Sequence, residues 1–535
     1  MIFIINKLKL ASKIASMIIG TFVLITCNSK NVNSKKTIFE PTWESLAKHD
    51  TEPEWFKDSK FGIYFHWGLF TVPEYYDEKY PRWMYFEKLP EKGWGGPVRK
   101  HHNETYGGVE KFNYHDFIPM FKAEKFNAAV WAELFELSGA KFAGPVAQHH
   151  DGFAMWDSDV NPFNVMDKGP KKDITGELFQ ELKKRKIKTI ATFHHARNLA
   201  RHANDTSQWA DKCDKPMMSN DSYYPYHPNL ITSTKDAELK YLYGNISEQE
   251  FNDYWLNQVN EVVENYAPDM IWFDSWLHLI PENYRKKMVA HHFNTGVNRG
   301  QKPIVFYKQQ DLPDNVGLLD IEQGGKKGMS KQYWLTDITI TKWGWSYTNK
   351  LKCKKPDILI RNMIDVWSKK GVVLLNLSPR ANGTIPNEQQ EVLKSIGKWM
   401  NKHKEAVYET RTHTTYGYGV VAVKDNVHGG QSATIKYTKD DVRFTTSKDK
   451  KTIYIFTLGM PEAKTNLEIN HVIDISKNQP IKRVSIIGSK STLDWSVNDD
   501  KLIVKTPETT EMDEIATVFK LEFLQPIQAK PLINK

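Results

Sequence analysis

The sequence predicts an α/β protein: a (β/α)8 TIM-like barrel followed by a C-terminal antiparallel β-sandwich. Three observations lead to this fold class. Short apolar runs alternate with helical patterns, each apolar run is continuous, and the pattern changes near residue 405 to short alternating runs. Continuous apolar strands are typical of a parallel sheet that is covered by helices. We therefore expect the barrel at residues 28–405 and the sandwich at residues 406–535.

The barrel prediction depends on strands and helices that alternate along the chain. Six apolar runs that close on polar residues are predicted strands: Lys60–His66, Lys141–Ala147, Ile187–His195, Asp269–Asp274, Pro303–Tyr307 and Gly371–Ser378. Apolar residues at helical spacing predict helices at Phe126–Ala140, Thr175–Lys186, Phe251–Tyr266 and Asp357–Lys370. In the first helix, the expected buried face consists of Phe126, Val130, Leu134 and Leu137. About seven strand–helix units over roughly 340 residues favour a barrel over an open doubly wound sheet.

The last part of the chain has a different pattern. Its short β-branched runs alternate between apolar and polar residues and are separated by Asp, Asn, Gly and Lys turns, as is typical of an antiparallel sandwich. The predicted strands are Val420–Val423, Ala433–Tyr437, Thr452–Leu458, Lys482–Ile487 and Lys501–Val504.

The N-terminus predicts export. Three lysines precede an uncharged stretch, Ile14–Thr26, which is too short to span a bilayer. Cys27 follows and the chain then turns polar, which resembles a bacterial lipoprotein signal with Cys27 as the acylated residue. We expect residues 1–27 to be this signal, and the protein to lie in the periplasm or at the outer membrane, held only by the lipid. Cleavage by an ordinary signal peptidase and a buried N-terminal helix are the alternatives.

Composition and motifs exclude several classes of function. The net charge of +9 falls to +6 without the three signal lysines, and no Arg/Lys-rich stripe indicates nucleic-acid binding. No Gly-x-Gly-x-x-Gly or Walker-type loop supports nucleotide binding. Beyond Cys27, only Cys213 and Cys353 remain, too few for a disulfide framework and without metal-ligand spacing. The 17 tryptophans are compatible with sugar-binding surfaces as well as with core packing.

Titratable residues gather where the predicted strands end. His149-His150-Asp151-Gly152 follows one strand, and His66, His194-His195 and Asp274 follow others. Polar groups at the carboxyl ends of parallel strands usually form a binding site. Paired loop histidines without a function are the alternative for any single pair.

Three kinds of site compete for these residues. A metal hydrolase is poorly supported, because the histidines come as adjacent pairs that would point to opposite sides of a strand. A serine hydrolase would need a Gly-x-Ser-x-Gly elbow, which is absent. A glycosidase needs one ionised and one protonated carboxyl across the scissile bond. Asp274, after Trp272 and Phe273, is a candidate nucleophile, and a helix cap is its structural alternative.

Several separate segments resemble the retaining α-L-fucosidases of glycoside hydrolase family 29, in order and over most of residues 45–400. They are Trp55–Gly68, Gly139–Lys141 with His149–Phe153 and Trp156–Ser158, Pro268–Asp274, and Leu374–Asn376 with Pro379 and Asn382–Pro386. The resemblance implies a barrel and a sandwich, no cofactor and no metal, and net retention of anomeric configuration.

The resemblance also implies roles for individual residues. It implies that His66, His149 and His150 hydrogen-bond fucose hydroxyls, that Trp272 packs by the sugar and that Asp274 is the nucleophile. Glu78 falls where the family often has a hydroxyl-binding Glu, although Lys79 replaces the usual Trp.

Two positions depart from the family pattern or vary within it. Phe193–Asn198 replaces a Tyr-Tyr-Ser stretch, so we expect an imidazole-lined face there and include His195 among the substrate-binding residues. For the acid/base we choose Glu322, which follows Leu318-Leu319, with Asp320 and Asp337 as rivals.

The expected function is therefore that of an exo-acting retaining α-L-fucosidase. A glycosidase of another sugar, such as a galactoside, and an inactive glycan-binding lipoprotein are the alternatives. The expected partner is a fucosylated oligo- or polysaccharide, and the basic cluster Lys352, Lys354 and Lys355 makes an anionic polysaccharide one candidate. Alternatively, these lysines only solvate the surface. The sequence does not specify the fucosyl linkage or the oligomeric state.

Overall fold

A computed structural model describes residues 37–93, 95–215, 222–421, 423, 425–427, 435–470, 481–498 and 501–527. The predicted signal segment 1–27, with Cys27, lies outside these residues. No helix in the described ranges is long and apolar enough to cross a membrane.

The described residues contain one parallel sheet of eight strands, and this confirms the predicted barrel. The strands are β1 Phe61–Phe65, β2 Phe142–Gln148, β3 Lys188–Phe193, β4 Met270–Phe273, β5 Ile304–Tyr307, β6 Leu318–Leu319, β7 Trp334–Thr339 and β8 Gly371–Leu377. Their spatial order is β6-β5-β4-β3-β2-β1-β8-β7. A parallel bridge between Asp320 and Leu335 joins the two end strands. The carboxyl ends of all eight strands therefore meet at one end of the barrel.

Twelve α-helices accompany the strands in the described part of the chain. They are α1 Trp43–Leu46, α2 Glu54–Ser59, α3 Tyr80–Trp83, α4 Gly96–Tyr106, α5 Ala128–Leu137, α6 Ile174–Lys184, α7 Leu239–Tyr243, α8 Glu248–Tyr266, α9 Glu282–Asn298, α10 Pro356–Ser368, α11 Asn387–Lys402 and α12 Lys404–Val407. Side-chain caps fix the starts of four of them: Thr42 accepts from Ser45 N, Asn127 from Val130 N, Asp173 from Gly176 N and Ser247 from Glu250 N.

The predicted buried face of helix α5 is half right. Phe126 and Leu134 are buried as predicted, whereas Val130 and Leu137 are 58% and 59% exposed, and Trp131, Ala132 and Phe135 are buried in addition. Trp131 decides the orientation, because its ring packs against Phe65 of β1 and its indole N–H donates to Gly383 O. The largest apolar side chain thus faces the barrel, and two smaller ones lie at the surface.

Strands β6 and β7 were not among the predicted runs. Strand β6 has only two residues, and β7 carries Thr336, Asp337 and Thr339 among its buried positions, so neither is a continuous apolar run. Pro145 does lie within β2, opposite Phe65 of β1. The register between β2 and β3 shifts after Val146, and the ladder is irregular just beyond the proline.

The C-terminal part consists of two antiparallel sheets, as predicted. One has the order β13-β16-β11-β10-β9 and the other β12-β15-β14. The strands are β9 Arg411–Tyr418, β10 Val442–Thr446, β11 Thr452–Thr457, β12 Asn466–Ile469, β13 Ile481–Ile486, β14 Trp495–Asn498, β15 Lys501–Lys505 and β16 Thr517–Phe523. Apolar residues from both sheets, among them Phe444, Ile455, Leu502 and Phe519, form its core.

Two predicted C-terminal strands are wrong over their described residues. Val420, Val421 and Val423 are not in a strand, and neither are residues 435–437. Val420 is 76% exposed, and the backbone N–H groups of Val420 and Val421 both donate to the Asp441 carboxylate. The Asp441 side chain therefore accepts the backbone hydrogen bonds that a neighbouring strand would otherwise accept.

A buried ion cluster connects the barrel to the sandwich. Asp365 of α10 accepts from Arg443 Nε of β10 at 2.6 Å and from Lys369 Nζ at 2.9 Å. Burial raises the pKa of Asp365, but the two cations outweigh it and lower the pKa to about 2. The carboxylate is thus ionised at any pH near neutrality.

Candidate active site

The loop after β2 brings His149 and His150 to the same side of the barrel. The strand ends at Gln148, and Gly152 N donates to His149 O across a tight turn, so strand alternation no longer applies to the two histidines. Gly152 has a φ of +85°, and a Cβ there would lie 2.8 Å from Leu242 O. The two rings lie with their centroids 4.7 Å apart. Glycine is thus needed for the turn that places both imidazoles together.

Three imidazoles from three strand ends form the centre of the candidate site. The ring of His149 lies 5.4 Å from that of His66, which follows β1, and 4.8 Å from that of His194, which follows β3. Burial lowers the pKa of His149 well below its ordinary value, and the three neighbouring histidines lower it further. Burial likewise lowers the pKa values of His66 and His194. The cluster is therefore neutral at neutral pH.

His66 is held in one tautomer. Its Nδ1 lies 2.7 Å from Asn376 Oδ1, while the Asn376 amide nitrogen donates to Trp345 O. Because Asn376 Oδ1 can only accept, Nδ1 of His66 carries the proton and Nε2 is left as an acceptor. The Nδ1 atoms of His149, His150 and His194 are buried and have no hydrogen-bond partner within the described residues. The cluster can therefore accept and donate hydrogen bonds to a polyhydroxylated ligand.

Asp274 follows β4 and lies beside this cluster. One carboxylate oxygen is 3.3 Å from His150 Nε2, and the other is 3.0 Å from Lys308 Nζ. Burial would raise the pKa of Asp274, but the Lys308 ammonium and the imidazoles of His194 and His150 outweigh it and hold the pKa well below its usual range. With 14% of its side chain exposed, Asp274 is an ionised carboxylate at the edge of the pocket.

Lys308 is the functional residue that the sequence prediction missed. It follows β5, its side chain is 1% exposed, and four carboxyl groups surround its ammonium: Asp274 at 3.0 Å, Glu322 at 2.9 Å, Asp337 at 3.6 Å and Asp320 at 3.8 Å. Burial lowers the pKa of Lys308, but these charges raise it well above its ordinary value. Its position directly after a buried apolar strand is the same signal that identified Asp274.

Glu322 differs from its two rivals in access to solvent. Its side chain is 33% exposed, whereas Asp320 and Asp337 are fully buried. Burial raises the pKa of Glu322, and the charges of Asp337 and Asp274 add to the increase, against the opposing effect of Lys308. Asp337 instead accepts from Tyr64 OH at 2.8 Å, and its N–H donates to Asp320. Of the three, Glu322 alone can reach a bound molecule.

Asp274 and Glu322 share one cation, which limits the distance between them. Their oxygens cannot be farther apart than the sum of 3.0 Å and 2.9 Å, the two distances to Lys308 Nζ. Carboxyl groups of retaining glycosidases lie about 5–5.5 Å apart, and those of inverting glycosidases about 6.5–9.5 Å. This limit applies to the two oxygens that face Lys308, and it is compatible with the retaining spacing.

Of the remaining predicted residues, Glu78 and Trp272 lie near the histidine cluster, whereas His195 does not. Glu78 is buried and accepts from Trp345 N at 3.4 Å, and the Trp345 ring lies 5.3 Å from that of His66. Trp272 lies 5.2 Å from the His194 ring, and Lys308 Nζ is 4.8 Å from the Trp272 ring centroid. His66, Glu78, His149, His150 and Trp272 are therefore brought together around Asp274.

His195 is not placed with this group. Its ring stacks on Trp255 of α8 at 5.9 Å, because adjacent residues at a strand end point to opposite sides and His194 takes the inward position. A second correction concerns the basic cluster at Lys352–Lys355. Lys354 is buried, and its ammonium donates to Thr339 O and Oγ1. It is therefore not part of an exposed cationic surface.

The three central imidazoles also meet the simplest geometric requirement of a metal site. His66, His149 and His194 each offer a nitrogen, and these atoms lie within 4.8 Å of one another. Three neutral imidazoles are a ligand set that Zn²⁺ accepts. The absence of a metal requirement therefore stays a prediction.

Comparison with known proteins agrees with this site. The family profile for α-L-fucosidase matches residues 25–405, and the profile for the α-L-fucosidase C-terminal domain matches residues 436–522. The human plasma α-L-fucosidase is 27% identical over 493 residues, which cover 89% of this chain and 90% of that protein. The human tissue α-L-fucosidase is 24% identical over 502 residues, or 88% of each chain.

Solved structures show the same relationship. The crystal structure of Thermotoga maritima α-fucosidase superposes with a TM-score of 0.67 at 25% identity and covers 90% of this chain and 100% of that chain. The structure of that enzyme in complex with fucose has a TM-score of 0.64 at 25% identity, with the same coverage of both chains. Because the family profile spans most of the sequence, including the strand ends that carry Asp274 and Glu322, the chain belongs to the α-L-fucosidase family of glycoside hydrolases.

Proposed function

We propose that the protein is an exo-acting, retaining α-L-fucosidase that removes terminal α-L-fucose by double displacement. The observation that carries this proposal is the pair Asp274 and Glu322 on one ammonium, with pKa values moved in opposite directions. A lowered pKa keeps Asp274 ionised for nucleophilic attack, and a raised pKa keeps Glu322 protonated for the leaving group. Two carboxyls with divergent pKa values at short range are what a retaining glycosidase requires.

The mechanism follows from these positions. Asp274 attacks the anomeric carbon while Glu322 gives its proton to the glycosidic oxygen, and a fucosyl–Asp274 ester forms as the leaving group departs. Glu322, now ionised, takes a proton from water as that water attacks the anomeric carbon and breaks the ester. Lys308 stays charged throughout and stabilises the carboxylate that each half-reaction releases. No step needs a group beyond these side chains and water.

The buried pocket supports fucose as the sugar and the chain end as the site of cleavage. His66, His149 and His194 are each less than a twentieth exposed, and so enclosed a site suits a terminal sugar better than the middle of a continuing chain. Their nitrogen atoms suit the hydroxyls, and Trp272 and Phe70 present apolar surface beside them. A 6-deoxy sugar has hydroxyl groups for the imidazoles and a methyl group for the apolar side chains. The structure of a relative with bound fucose supports the same choice.

A panel of aryl glycosides tests this proposal. We expect hydrolysis of an aryl α-L-fucoside, with far slower hydrolysis of the matching β-D-galactoside. A chelator should leave the rate unchanged, because the mechanism assigns the imidazoles to hydroxyl binding. Loss of activity with the chelator, restored by Zn²⁺, would support a metal hydrolase built on His66, His149 and His194. No hydrolysis of any glycoside would favour an inactive glycan-binding protein.

Replacement of Glu322 by Ala should separate substrates by their leaving groups. On a fucoside with a poor leaving group, we expect kcat to fall about 10²–10⁴-fold, because proton donation is lost. On a dinitrophenyl fucoside the first step needs no acid, and azide should restore part of the second step. The raised pKa of Glu322 sets the upper pH limit of activity, since the proton is lost as pH rises through it.

The same variant tests the choice between the carboxyl groups. The alkaline decline of kcat/KM should disappear in Glu322→Ala but persist in Asp320→Asn, which serves as the matched variant inside the same cluster. If Asp320→Asn shows the leaving-group dependence and azide rescue instead, the acid/base role belongs to Asp320.

We also propose export with a lipid anchor at Cys27, on the basis of residues 1–27 alone. An anionic fucosylated polysaccharide would need the exposed basic cluster that the sequence suggested, and the burial of Lys354 removes one of its three lysines.

A further inference from the structure

A second cavity lies next to the candidate active site. It has a volume of about 470 Å³ and is formed by the loops 75–79 and 343–350. Its lining includes Tyr75, Tyr76, Glu78, Lys79, Trp343 and Trp345. A hydrogen bond from Asn349 N to Glu74 O ties the two loops together at 3.1 Å. We call this space the aromatic cavity.

The aromatic cavity shares two walls with the pocket around Asp274. Glu78 and Trp345 both lie between the cavity and the pocket. The Trp345 ring lies 5.3 Å from that of His66. Lys79 Nζ lies 2.5 Å from Glu78 Oε1. Burial lowers the pKa of Lys79, but the charges of Glu78 and Asp77, with a smaller effect of Glu322, raise it above its ordinary value. The cavity thus adjoins the pocket through Glu78 and Trp345.

Trp343 lies at the rim of the cavity. Its side chain is 46% exposed, and within the described residues it makes no hydrogen bond or ring contact. The loop that carries it is nevertheless held in place, because Thr341 Oγ1 donates to Gly344 O and Ser378 Oγ donates to Trp345 O. An exposed aromatic ring on an anchored backbone beside a cavity offers an apolar face on which a bound molecule can stack.

The charges that line the cavity are nearly balanced. Lys79 is paired with Glu78 and lies 3.8 Å from Asp77. Lys350 adds one exposed cation at the rim. Burial raises the pKa of Asp77 to about 7, so that this acid is partly protonated near neutrality. The cavity has no group of free cations that would favour an anionic ligand.

We propose that the aromatic cavity binds the sugar that carries the fucose, as a neutral pyranose whose apolar face stacks on Trp343. The proposal rests on the fucosidase function and names its substrate class: neutral fucosylated oligosaccharides of at least two sugars. Cleavage then releases a leaving group that already lies in the aromatic cavity. The same site would hold an acceptor sugar, whose hydroxyl attacks the anomeric carbon of the fucosyl–Asp274 ester. A new C–O bond forms, the ester bond breaks, and the hydroxyl proton passes to Glu322.

Two substrates that differ only in the leaving group test the proposal. α-L-Fucosyl fluoride has no sugar for the cavity, whereas fucosylated lactose has a neutral sugar next to fucose. For Trp343→Ala we expect kcat/KM to fall roughly five- to tenfold on fucosylated lactose and less than about twofold on the fluoride. Trp343→Phe keeps an aromatic face and should restore most of the loss. Trp495→Ala, at the other exposed tryptophan in the described residues, should change neither substrate.

The partition of the ester between water and lactose provides a second measurement that is independent of overall activity. With fucosyl fluoride as donor, Trp343→Ala should lower the ratio of transfer to hydrolysis by about the same factor. Equal loss on both substrates, or an unchanged partition ratio, would overturn the proposed role of the cavity. If the wild-type protein hydrolyses neither substrate, the fucosidase proposal itself fails, which is a distinct result.

Discussion

Replacement of Asp274 by Ala should abolish nearly all hydrolysis of an aryl α-L-fucoside, with a loss in kcat on the order of 10⁴–10⁶-fold. The reason is that the neighbouring acids in the described part of the cluster cannot replace it: Asp320 and Asp337 are fully buried, and Glu322 is the proposed proton donor. Steady-state kinetics with an activated aryl fucoside measure the effect. Azide can enter the space left by the carboxylate and should yield β-L-fucosyl azide by a single inversion.

A control must show that the loss reflects chemistry and not unfolding. Asp274 lies at the pocket edge, and its removal leaves Lys308 with three carboxyl partners, so the thermal unfolding temperature should change little. Retention of more than a hundredth of the wild-type kcat by a folded Asp274→Ala protein would show that another group is the nucleophile.

Replacement of Lys308 by Met should have the second largest effect, with kcat/KM reduced about 10²–10³-fold. The substitution removes the cation shared by four carboxyl groups. Lys308 lowers the pKa of Asp274 and also that of Glu322, so its removal should raise both. Both limbs of the pH profile of kcat/KM should therefore move to higher pH, since the acid limb reports Asp274 and the alkaline limb reports Glu322.

Lys308→Arg is the matched variant, because it keeps the charge and should leave both limbs near their wild-type positions. Loss of the fully buried central cation, which leaves its carboxyl partners uncompensated, also destabilises a protein, by about 3–5 kcal/mol. The pH limbs distinguish an electrostatic role from this structural effect. A folded Lys308→Met protein with unchanged limbs would show that Lys308 does not set the protonation of the two carboxyls.

The strands that could be predicted from sequence are those that are both buried and apolar. β1 to β5 and β8 are apolar runs because helices or the barrel interior cover both faces. β7 is equally buried but was not predicted, because Thr336, Asp337 and Thr339 make half of it polar; Tyr64 and Lys308 satisfy the Asp337 carboxylate. Those partners come from distant parts of the chain. A polar strand that is buried by long-range contacts leaves no periodic signal.

The residues of the candidate site also divide into those that the sequence could predict and those that it could not. Asp274, His66 and the His149–His150 pair could be found because each follows an apolar strand. The choice between His194 and His195 depends on which of two adjacent residues points inward, and a shift of one residue reverses it. Lys308 followed a strand as well, but its function becomes visible only when β4, β5, β6 and β7 bring four acids around it. The charge cluster is a property of the closed barrel and of no single segment.

The stereochemistry of the first product tests the central claim most directly. Hydrolysis of an aryl α-L-fucoside can be followed by proton NMR within the first minutes, before the anomers of free fucose equilibrate. Double displacement through Asp274, with Glu322 beside it on Lys308, predicts that α-L-fucose forms first and that the β-anomer appears only by mutarotation. Initial release of β-L-fucose would mean direct attack by water, and it would contradict the assignment of Asp274 as the nucleophile.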